Sequence, residues 1–307
     1  MSSLGFISGR WKLGLMLAAT TAIMWGVLPI ALKGVMQTLD PMTTTFFRFA
    51  IAAILITPYL ITRKKLINKS KIVSTKLFLQ LLGAGLLLTA NYALYILGLE
   101  RTTAEAAQVM MQLAPVLLLL SGVWVFKERF SPIQWIGFAI FVSGLLMFFS
   151  PRFDDIFTHL NDYGVGLLLL AAAAITWVGY AVIQKFLIKE FNAEETMLVF
   201  YWIGALVFLP FSNFTLLLNL TSLQWALLGF CGLNTLIAYG CFSEALIHIE
   251  ASRVSAVIAM TPLVTVFFVQ SISFAGVVAE PLGLVTVLGA TCVVVGSIVT
   301  ATVRSNS

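Results

Sequence analysis

Charged side chains are scarce in this sequence. Asp, Glu, Lys and Arg make up only 10% of its 307 residues, whereas 60% of the residues are hydrophobic. A soluble domain carries roughly 25% charged residues, because water must wet its surface. The scarcity therefore excludes a soluble globular protein, and we expect lipid to be the solvent for most of the chain.

Cysteine is also rare. The three cysteines, Cys231, Cys241 and Cys292, all fall in apolar runs, and the first two lie ten residues apart on one predicted helix. That separation is too long for a disulfide bond. Neither a disulfide framework nor a metal site is predicted.

The sequence lacks the motifs of several enzyme and pump classes. It has no GxxxxGKS/T phosphate loop, no HExxH and no GxSxG, which are signals of nucleotide hydrolysis, zinc proteolysis and serine hydrolase activity. No nucleic-acid-binding module accompanies the net charge of +5, and the basic loops of membrane proteins explain such a charge. We expect no enzyme, no cofactor and no nucleic-acid partner.

Long apolar runs are what the sequence does contain. A run of about 20 residues crosses the ~30 Å hydrocarbon layer of a bilayer as a helix. Ten such runs predict an all-α polytopic membrane protein with ten transmembrane helices, at residues 13–33, 42–62, 77–98, 103–125, 132–149, 164–185, 196–212, 223–246, 251–272 and 282–302.

The basic residues predict how these spans are oriented, because cytoplasmic loops collect Lys and Arg. With a cytoplasmic N-terminus, only Lys33, Arg101 and Arg152 face outward, and Arg48 lies within a span. Ten is an even number, so the C-terminus is also expected in the cytoplasm. The predicted location is a plasma membrane, namely the bacterial inner membrane.

The two halves of the chain repeat one another, which is a signal to seek early in any sequence. Identical residues recur at a displacement of 152 or 147 positions: Trp25 and Trp177, Pro58 and Pro210, Tyr92 and Tyr239, Pro115 and Pro262, Glu128 and Glu280, Gly137 and Gly289, Gly144 and Gly296. Each half has five spans, so the second half must enter the membrane from the opposite side. Residues 1–150 and 151–307 are therefore predicted to be inverted five-helix repeats.

Several segments resemble the drug/metabolite transporter superfamily, in its EamA-type group. The likeness covers about residues 12 to 302 and is carried by AIMWGVLPIALK, TTTFFRFAIAA, ANYALYILGLERTTAEAAQVMMQLAPV, FKERFSPIQWIGFAIFVSGLLM and YGCFSEALIHIEASRVSAVIAMTPLV. The resemblance implies ten spans in two five-helix repeats. It also implies movement of small organic metabolites, often amino-acid export, by alternating access without ATP hydrolysis.

Two other functions stay open. A phosphorylated-metabolite or nucleotide-sugar exchanger is disfavoured, because a phosphate cargo wants several buried cations and only Arg48 lies within a span. A non-transporting membrane scaffold would bind no small molecule. The expected partners are a small-molecule substrate, the lipid bilayer and, through the glycine pairs of spans five and ten, a possible homodimer.

Arg48 is the sharpest candidate for a functional residue, because ionisable side chains inside spans are costly and usually face a cavity or a partner. It is either a structural staple or a substrate contact. Glu105, at a similar depth on span four, is its natural partner, and the pair could form an outer gate.

Amide side chains mark a second candidate face. Gln108, Gln112 and Pro115 share one side of span four, and Asn91 and Tyr95 share one side of span three. Buried amides need hydrogen-bond partners. A substrate cavity would supply them, and hydrogen bonds between helices would do so equally well.

Aromatic residues near mid-span complete the predicted site. Trp25 and Trp177 align by the repeat, Tyr180 and Gln184 follow Trp177 along one face of span six, and Tyr239 lies on span eight. Aromatic stripes at helical spacing are often packing. As cavity walls they would suit an aromatic, apolar or cationic substrate.

Overall fold

The computed structural model describes residues 10–63, 74–126, 131–153, 162–187, 190–249, 251–271 and 282–302. These residues form helices joined by short connections, and none of them forms a strand. The helices are α1 (Trp11–Val35), α2 (Pro41–Thr62), α3 (Thr75–Arg101), α4 (Ala104–Met111), α5 (Leu113–Phe126), α6 (Pro132–Phe149), α7 (Asp162–Leu187), α8 (Ala193–Phe208), α9 (Ser222–His248), α10 (Ala251–Ile258), α11 (Thr261–Ser271) and α12 (Leu284–Thr302).

The prediction of an all-α polytopic membrane protein is confirmed. Among the described residues, eight helical stretches are long and apolar enough to cross a membrane, and two shorter apolar stretches are Ala104–Leu118 and Leu284–Thr300. Ten spans are consistent with this count. Glu128, Glu280 and most of the basic loop 63–76 lie outside the described residues.

Several helices begin at side chains that cap their first amide groups. The Asp40 carboxylate accepts a hydrogen bond from the Thr43 amide, and Pro41, which has no N–H to satisfy, occupies the first helical position of α2. The Thr221 hydroxyl accepts from the Gln224 amide at the start of α9. Caps of this kind matter at membrane depth, because an unpaired amide costs several kcal/mol where water is absent.

Predicted spans four and nine are each broken into two helices, whereas the sequence predicted continuous helices over 103–125 and 251–272. The first break falls at Gln112, between α4 and α5, and the second falls between Ile258 and Thr261. Pro115 and Pro262 follow the breaks. A proline has no amide for the carbonyl four residues earlier, so it interrupts the hydrogen-bond ladder. The two breaks occupy aligned positions of the repeat.

Helices α6 and α12, which align in the two predicted repeats, pack against each other and run antiparallel. The α6/α12 seam brings Gly144 against Gly289 and Gly137 against Thr300, so that ascending numbers on one helix meet descending numbers on the other. Glycine permits this approach: a Cβ atom built on Gly296 would overlap the backbone of Phe141. The glycine faces proposed for a homodimer are thus used within the chain.

Nearer the centre of the molecule, the aligned helices α2 and α8 also pack against each other, whereas α1 packs against α9 and α3 against α7. Exchanging the two halves converts the α1/α9 pair into the α7/α3 pair. A buried cluster of Phe49, Tyr92, Tyr180 and Tyr201, together with other apolar residues, fills the space between α2, α3, α7 and α8. Of the predicted site residues, Tyr180 belongs to this cluster and Trp177 packs against it.

Candidate functional site

The predicted aromatic residues and Arg48 meet where the helices of the two halves face each other. Arg48 comes from α2, Tyr95 from α3, Trp25 from α1, and Trp177 and Tyr180 from α7, while Tyr239 comes from α9. We call this region the junction. It is formed by side chains from both repeats, and none of them belongs to a surface loop.

Arg48 is buried, with only 3% of its surface exposed. Its guanidinium lies over the ring of Tyr92, 4.5 Å from the ring centroid, in a cation–π contact. Nε and Nη1 have no hydrogen-bond partner among the described residues. A guanidinium stacked on a ring keeps its N–H groups directed outward in its plane, so Arg48 can still bind an anion.

The predicted pairing of Arg48 with Glu105 is wrong. Glu105 is buried as well, but the guanidinium stacks on Tyr92, and no ion pair of the described residues joins it to Glu105. The sequence indicates the depth of both residues in the membrane. It does not indicate the rotation of the two helices, which decides whether the side chains meet.

Further aromatic side chains pack next to the Arg48–Tyr92 pair. Phe49 packs on Tyr92 at 4.6 Å and on Tyr201 at 6.3 Å between ring centroids, and the Tyr201 hydroxyl donates a hydrogen bond of 2.8 Å to the Thr235 carbonyl of α9. Helix α9 meets α2 close by, where Gly232 lies against the Ile51 side chain. The cation therefore lies between α2, α3 and the middle of α9.

Trp25 of α1 contacts Tyr239 of α9. The two rings lie 5.3 Å apart between centroids in an edge-on contact. Trp177 contacts Tyr180, at 6.4 Å between centroids. Tyr239 therefore connects the two halves across the junction.

The amide side chains act between helices. Gln108 donates to the Trp25 carbonyl at 2.5 Å, which Pro29 leaves without its helical amide. Asn91 donates to the Ala173 carbonyl at 2.8 Å. The two remaining predicted amides also have partners in the fold: Gln184 donates to the Thr196 hydroxyl, and Gln112 accepts from the Ser297 hydroxyl.

These bonds favour the second of the two interpretations given for the amide face. The amide donors of Asn91, Gln108 and Gln184 are engaged in the packing of the helices. The aromatic side chains and Arg48 remain as the groups that could contact a ligand. No cluster of three or more His, Cys, Asp or Glu side chains that could hold a metal ion occurs in the part of the chain described by the structure.

Comparison with known families gives two matches along this chain. Residues 12–150 and, separately, residues 164–302 match the EamA-like transporter family. The chain belongs to that family. The sequence resemblance is confirmed over nearly the whole length, and each matched region lies within one of the two predicted halves.

Similar proteins of known sequence are also described as transporters. The chain is 36% identical over 292 residues to an uncharacterized inner membrane transporter, YhbE, of Escherichia coli (strain K12), and the alignment covers 94% of this chain and 91% of that protein. It is also 36% identical to an uncharacterized transporter of Haemophilus influenzae, with 94% of each chain covered. A membrane transporter is therefore supported, and neither description gives a substrate.

A protein of known crystal structure shares the fold. It is 18% identical to this chain, with a TM-score of 0.64, and the match covers 95% of this chain and 99% of the other. At this level of identity the likeness concerns architecture alone. The EamA-family chain described here is a multi-pass membrane protein with that architecture.

Two junction residues lie outside the predicted set. Tyr92 carries the guanidinium of Arg48, although the sequence suggests it only as the repeat counterpart of Tyr239. Asn234 is 1% exposed and donates to the Met24 carbonyl at 2.6 Å, while its Oδ1 has no partner among the described residues. Its signal in the sequence is an amide in the middle of an apolar span.

Proposed function

We propose that this EamA-family protein is a secondary transporter that exports amino acids or related small metabolites by alternating access, without ATP hydrolysis. It acts as a carrier and not as an enzyme. The protein is located in the bacterial inner membrane, with both termini in the cytoplasm. The description of the Escherichia coli relative as an inner membrane transporter supports this location.

The observation that carries the proposal is the state of Arg48. The Arg48 guanidinium is buried where the helices of the two halves meet. Its Nε and Nη1 atoms have no acceptor among the described residues. Burying a charge is costly unless it is paired. A substrate carboxylate would complete this site during transport.

Alternating access fits an inverted pair of repeats, in which the two halves exchange conformations around a site near mid-membrane. Residues 1–150 and 151–307 are the proposed repeats. The antiparallel packing of α6 on α12 and of α2 on α8 supports this, because helices that align in sequence run in opposite directions. The aligned breaks before Pro115 and Pro262 support it too.

The junction also favours one substrate class. Trp25, Tyr95, Trp177, Tyr180 and Tyr239 provide its aromatic walls, which suit an apolar or aromatic body. Arg48 is the only Lys or Arg among the buried residues of the described chain. One cation suffices for a carboxylate, whereas a phosphate ester calls for several. The amides and Glu105 are proposed to shape this cavity from its edges.

Counterflow in proteoliposomes tests the proposal. Wild-type protein should exchange labelled amino acids saturably, whereas Arg48→Gln should lower the rate about tenfold to a hundredfold, the value of a hydrogen bond to a charged group. Trp177→Ala should also lower it sharply. Arg101→Gln, which removes a half-exposed cation at the end of α3, is the matched control and should keep the wild-type rate.

Each result has a distinct meaning. Saturable exchange of phosphate esters and not of amino acids would support the phosphorylated-metabolite exchanger. Absence of saturable exchange with every pool of metabolites would favour a scaffold and end the transport proposal. If Arg48→Gln exchanges at the wild-type rate, the junction is not the substrate site, although the transport function itself still stands.

A further inference from the structure

The junction holds an unpaired acceptor as well as an unpaired donor. Arg48 offers N–H groups without acceptors, and Asn234 offers a buried carbonyl oxygen, Oδ1, without a donor in the described residues. An orphaned acceptor at 1% exposure is as unfavourable as an orphaned donor. The two groups are of opposite polarity, and a ligand with both an anionic and a cationic end would satisfy both.

Arg48 lies beside the segment of α9 that carries Asn234. Gly232 of α9 packs against Ile51 of α2, which lies one turn after Arg48, so α9 meets α2 two residues before Asn234. Thr235, the next residue, accepts the hydrogen bond of Tyr201, which packs on the Phe49 ring beside Arg48. One turn of α9 therefore connects both unpaired groups.

The orientation of the Asn234 amide is fixed by its other end. Nδ2 donates to the Met24 carbonyl of α1 at 2.6 Å. A flipped amide would place two acceptors against each other, so Oδ1 must be the group turned away from α1. The acceptor is held in place by the helix packing, as a selective site requires.

The repeat shows that these two groups make one site and not a symmetric pair. The position aligned with Arg48 is Phe200, and the position aligned with Asn234 is Leu87. Phe200 packs on Tyr180, and Leu87 lies against Gly179. Both counterparts are apolar, so the Arg48 and Asn234 positions do not form a second, symmetric pair of polar groups.

We propose that Arg48 and Asn234 are the two poles of a binding site for zwitterionic amino acids with apolar side chains, such as leucine. Arg48 binds the α-carboxylate, and Asn234 Oδ1 accepts a hydrogen bond from the α-ammonium. The aromatic walls surround the side chain. This assignment rests on the proposed transport function and adds Asn234 as the residue that distinguishes an amino acid from a simple carboxylate.

Three probes separate the poles: L-leucine, 4-methylpentanoate, which lacks the amine, and 3-methylbutylamine, which lacks the carboxylate. Wild-type protein should prefer leucine. Asn234→Leu should raise the KM for leucine about tenfold, the value of a hydrogen bond to an ammonium, with little change for 4-methylpentanoate. Arg48→Gln should raise the KM for leucine and for 4-methylpentanoate, and it should leave the KM for 3-methylbutylamine unchanged.

A matched variant isolates the acceptor from the packing. Asn234→Asp loses the bond to the Met24 carbonyl, as Asn234→Leu does, but it keeps an acceptor and should retain the preference for leucine. Thr265→Val removes a comparable bond, from the Thr265 hydroxyl to the Gly26 carbonyl of α1 at 2.7 Å. It should leave the preference among the three probes unchanged.

The outcomes distinguish this inference from the function on which it rests. No saturable exchange of any metabolite by the wild-type protein would overturn the transport proposal itself. Exchange of other metabolites but not of leucine, or an unchanged preference in Asn234→Leu, would overturn the inference alone. Loss of the preference for leucine over 4-methylpentanoate in Glu105→Gln, and not in Asn234→Leu, would show that Glu105 and not Asn234 binds the α-ammonium group.

Discussion

Helices α1 and α7 occupy aligned positions in the two halves, but the rest of the fold holds them differently. In α1, three consecutive carbonyls, of Met24, Trp25 and Gly26, accept hydrogen bonds from Asn234, Gln108 and Thr265. Pro29 lies inside this continuous helix and removes one hydrogen bond of its ladder, and the aligned residue of α7 is Ala181.

Helix α7 receives fewer such bonds. Asn91 donates to its Ala173 carbonyl, and its other contacts in the junction are aromatic, through Trp177 and Tyr180. One copy of the duplicated helix is thus fixed by polar bonds to its backbone, and the other by ring packing. Two copies of one element can keep their positions while dividing polar and apolar roles between them.

Where the halves remain alike, equal substitutions should have equal effects, and the glycine seam gives the largest. Gly144→Leu and Gly296→Leu should each destabilise the protein by about 3 kcal/mol, the upper range for overpacking, because a side chain at either glycine would meet the backbone of the partner helix. Melting temperatures in detergent, followed by tryptophan fluorescence, measure this.

Gly83→Leu and Gly229→Leu are the controls for the seam, since an added Cβ at either position meets nothing within 4 Å. Both should melt near the wild-type temperature. A large effect at Gly144 with none at Gly296 would show that the α6/α12 contact is not the symmetric seam described here.

Where the halves differ, the Pro29 site offers a sharper test. Gln108→Leu removes the donor to the Trp25 carbonyl and should cost about 1–3 kcal/mol of unfolding free energy. In a Pro29→Ala background the restored amide of residue 29 can bond to that carbonyl, so Gln108→Leu should cost about 1 kcal/mol less. A double-mutant cycle, measured by unfolding in mixed micelles, gives this coupling.

The α7 side provides the comparison for that cycle. Gln184→Leu breaks a bond to the Thr196 hydroxyl, and α7 has alanine where α1 has proline. Its cost should not depend on residue 29. Additive effects of Pro29→Ala and Gln108→Leu would mean that the proline does not create the need for Gln108, and the difference between α1 and α7 would need another cause.

The sequence predicts the apolar spans well, because they depend on a one-dimensional signal, apolar length. The inverted repeat stays a prediction from the recurrence of residues such as Trp25 and Trp177. The partners of polar side chains depend on helix rotation and crossing, which single sequences do not specify. Arg48 meets Tyr92 and not Glu105 for this reason. The breaks at Gln112 and before Thr261 could have been predicted from the sequence, since Pro115 and Pro262 lie just after them.

The smallest expected difference concerns one hydrogen bond that occurs in both halves with its donor exchanged. The Thr21 hydroxyl of α1 lies 3.2 Å from the Ala238 carbonyl of α9. At the aligned site, the Asn91 amide of α3 donates to the Ala173 carbonyl of α7. Residues 21 and 173 align, and so do residues 91 and 238.

Thr21→Val should cost no more than about 0.6 kcal/mol of unfolding free energy, the average for interhelical hydrogen bonds in membranes. The Thr21 hydroxyl has one proton, and it also lies 3.0 Å from the Leu17 carbonyl of its own helix, so little of the bond is lost between helices. Asn91→Leu should cost more, about 1 kcal/mol, because its 2.8 Å bond is the shorter one and has no local substitute. Unfolding of both variants in the same micelles measures the pair. A larger loss for Thr21→Val than for Asn91→Leu would mean that the Thr21 contact holds α1 more strongly than the Asn91 bond holds α7, contrary to this expectation.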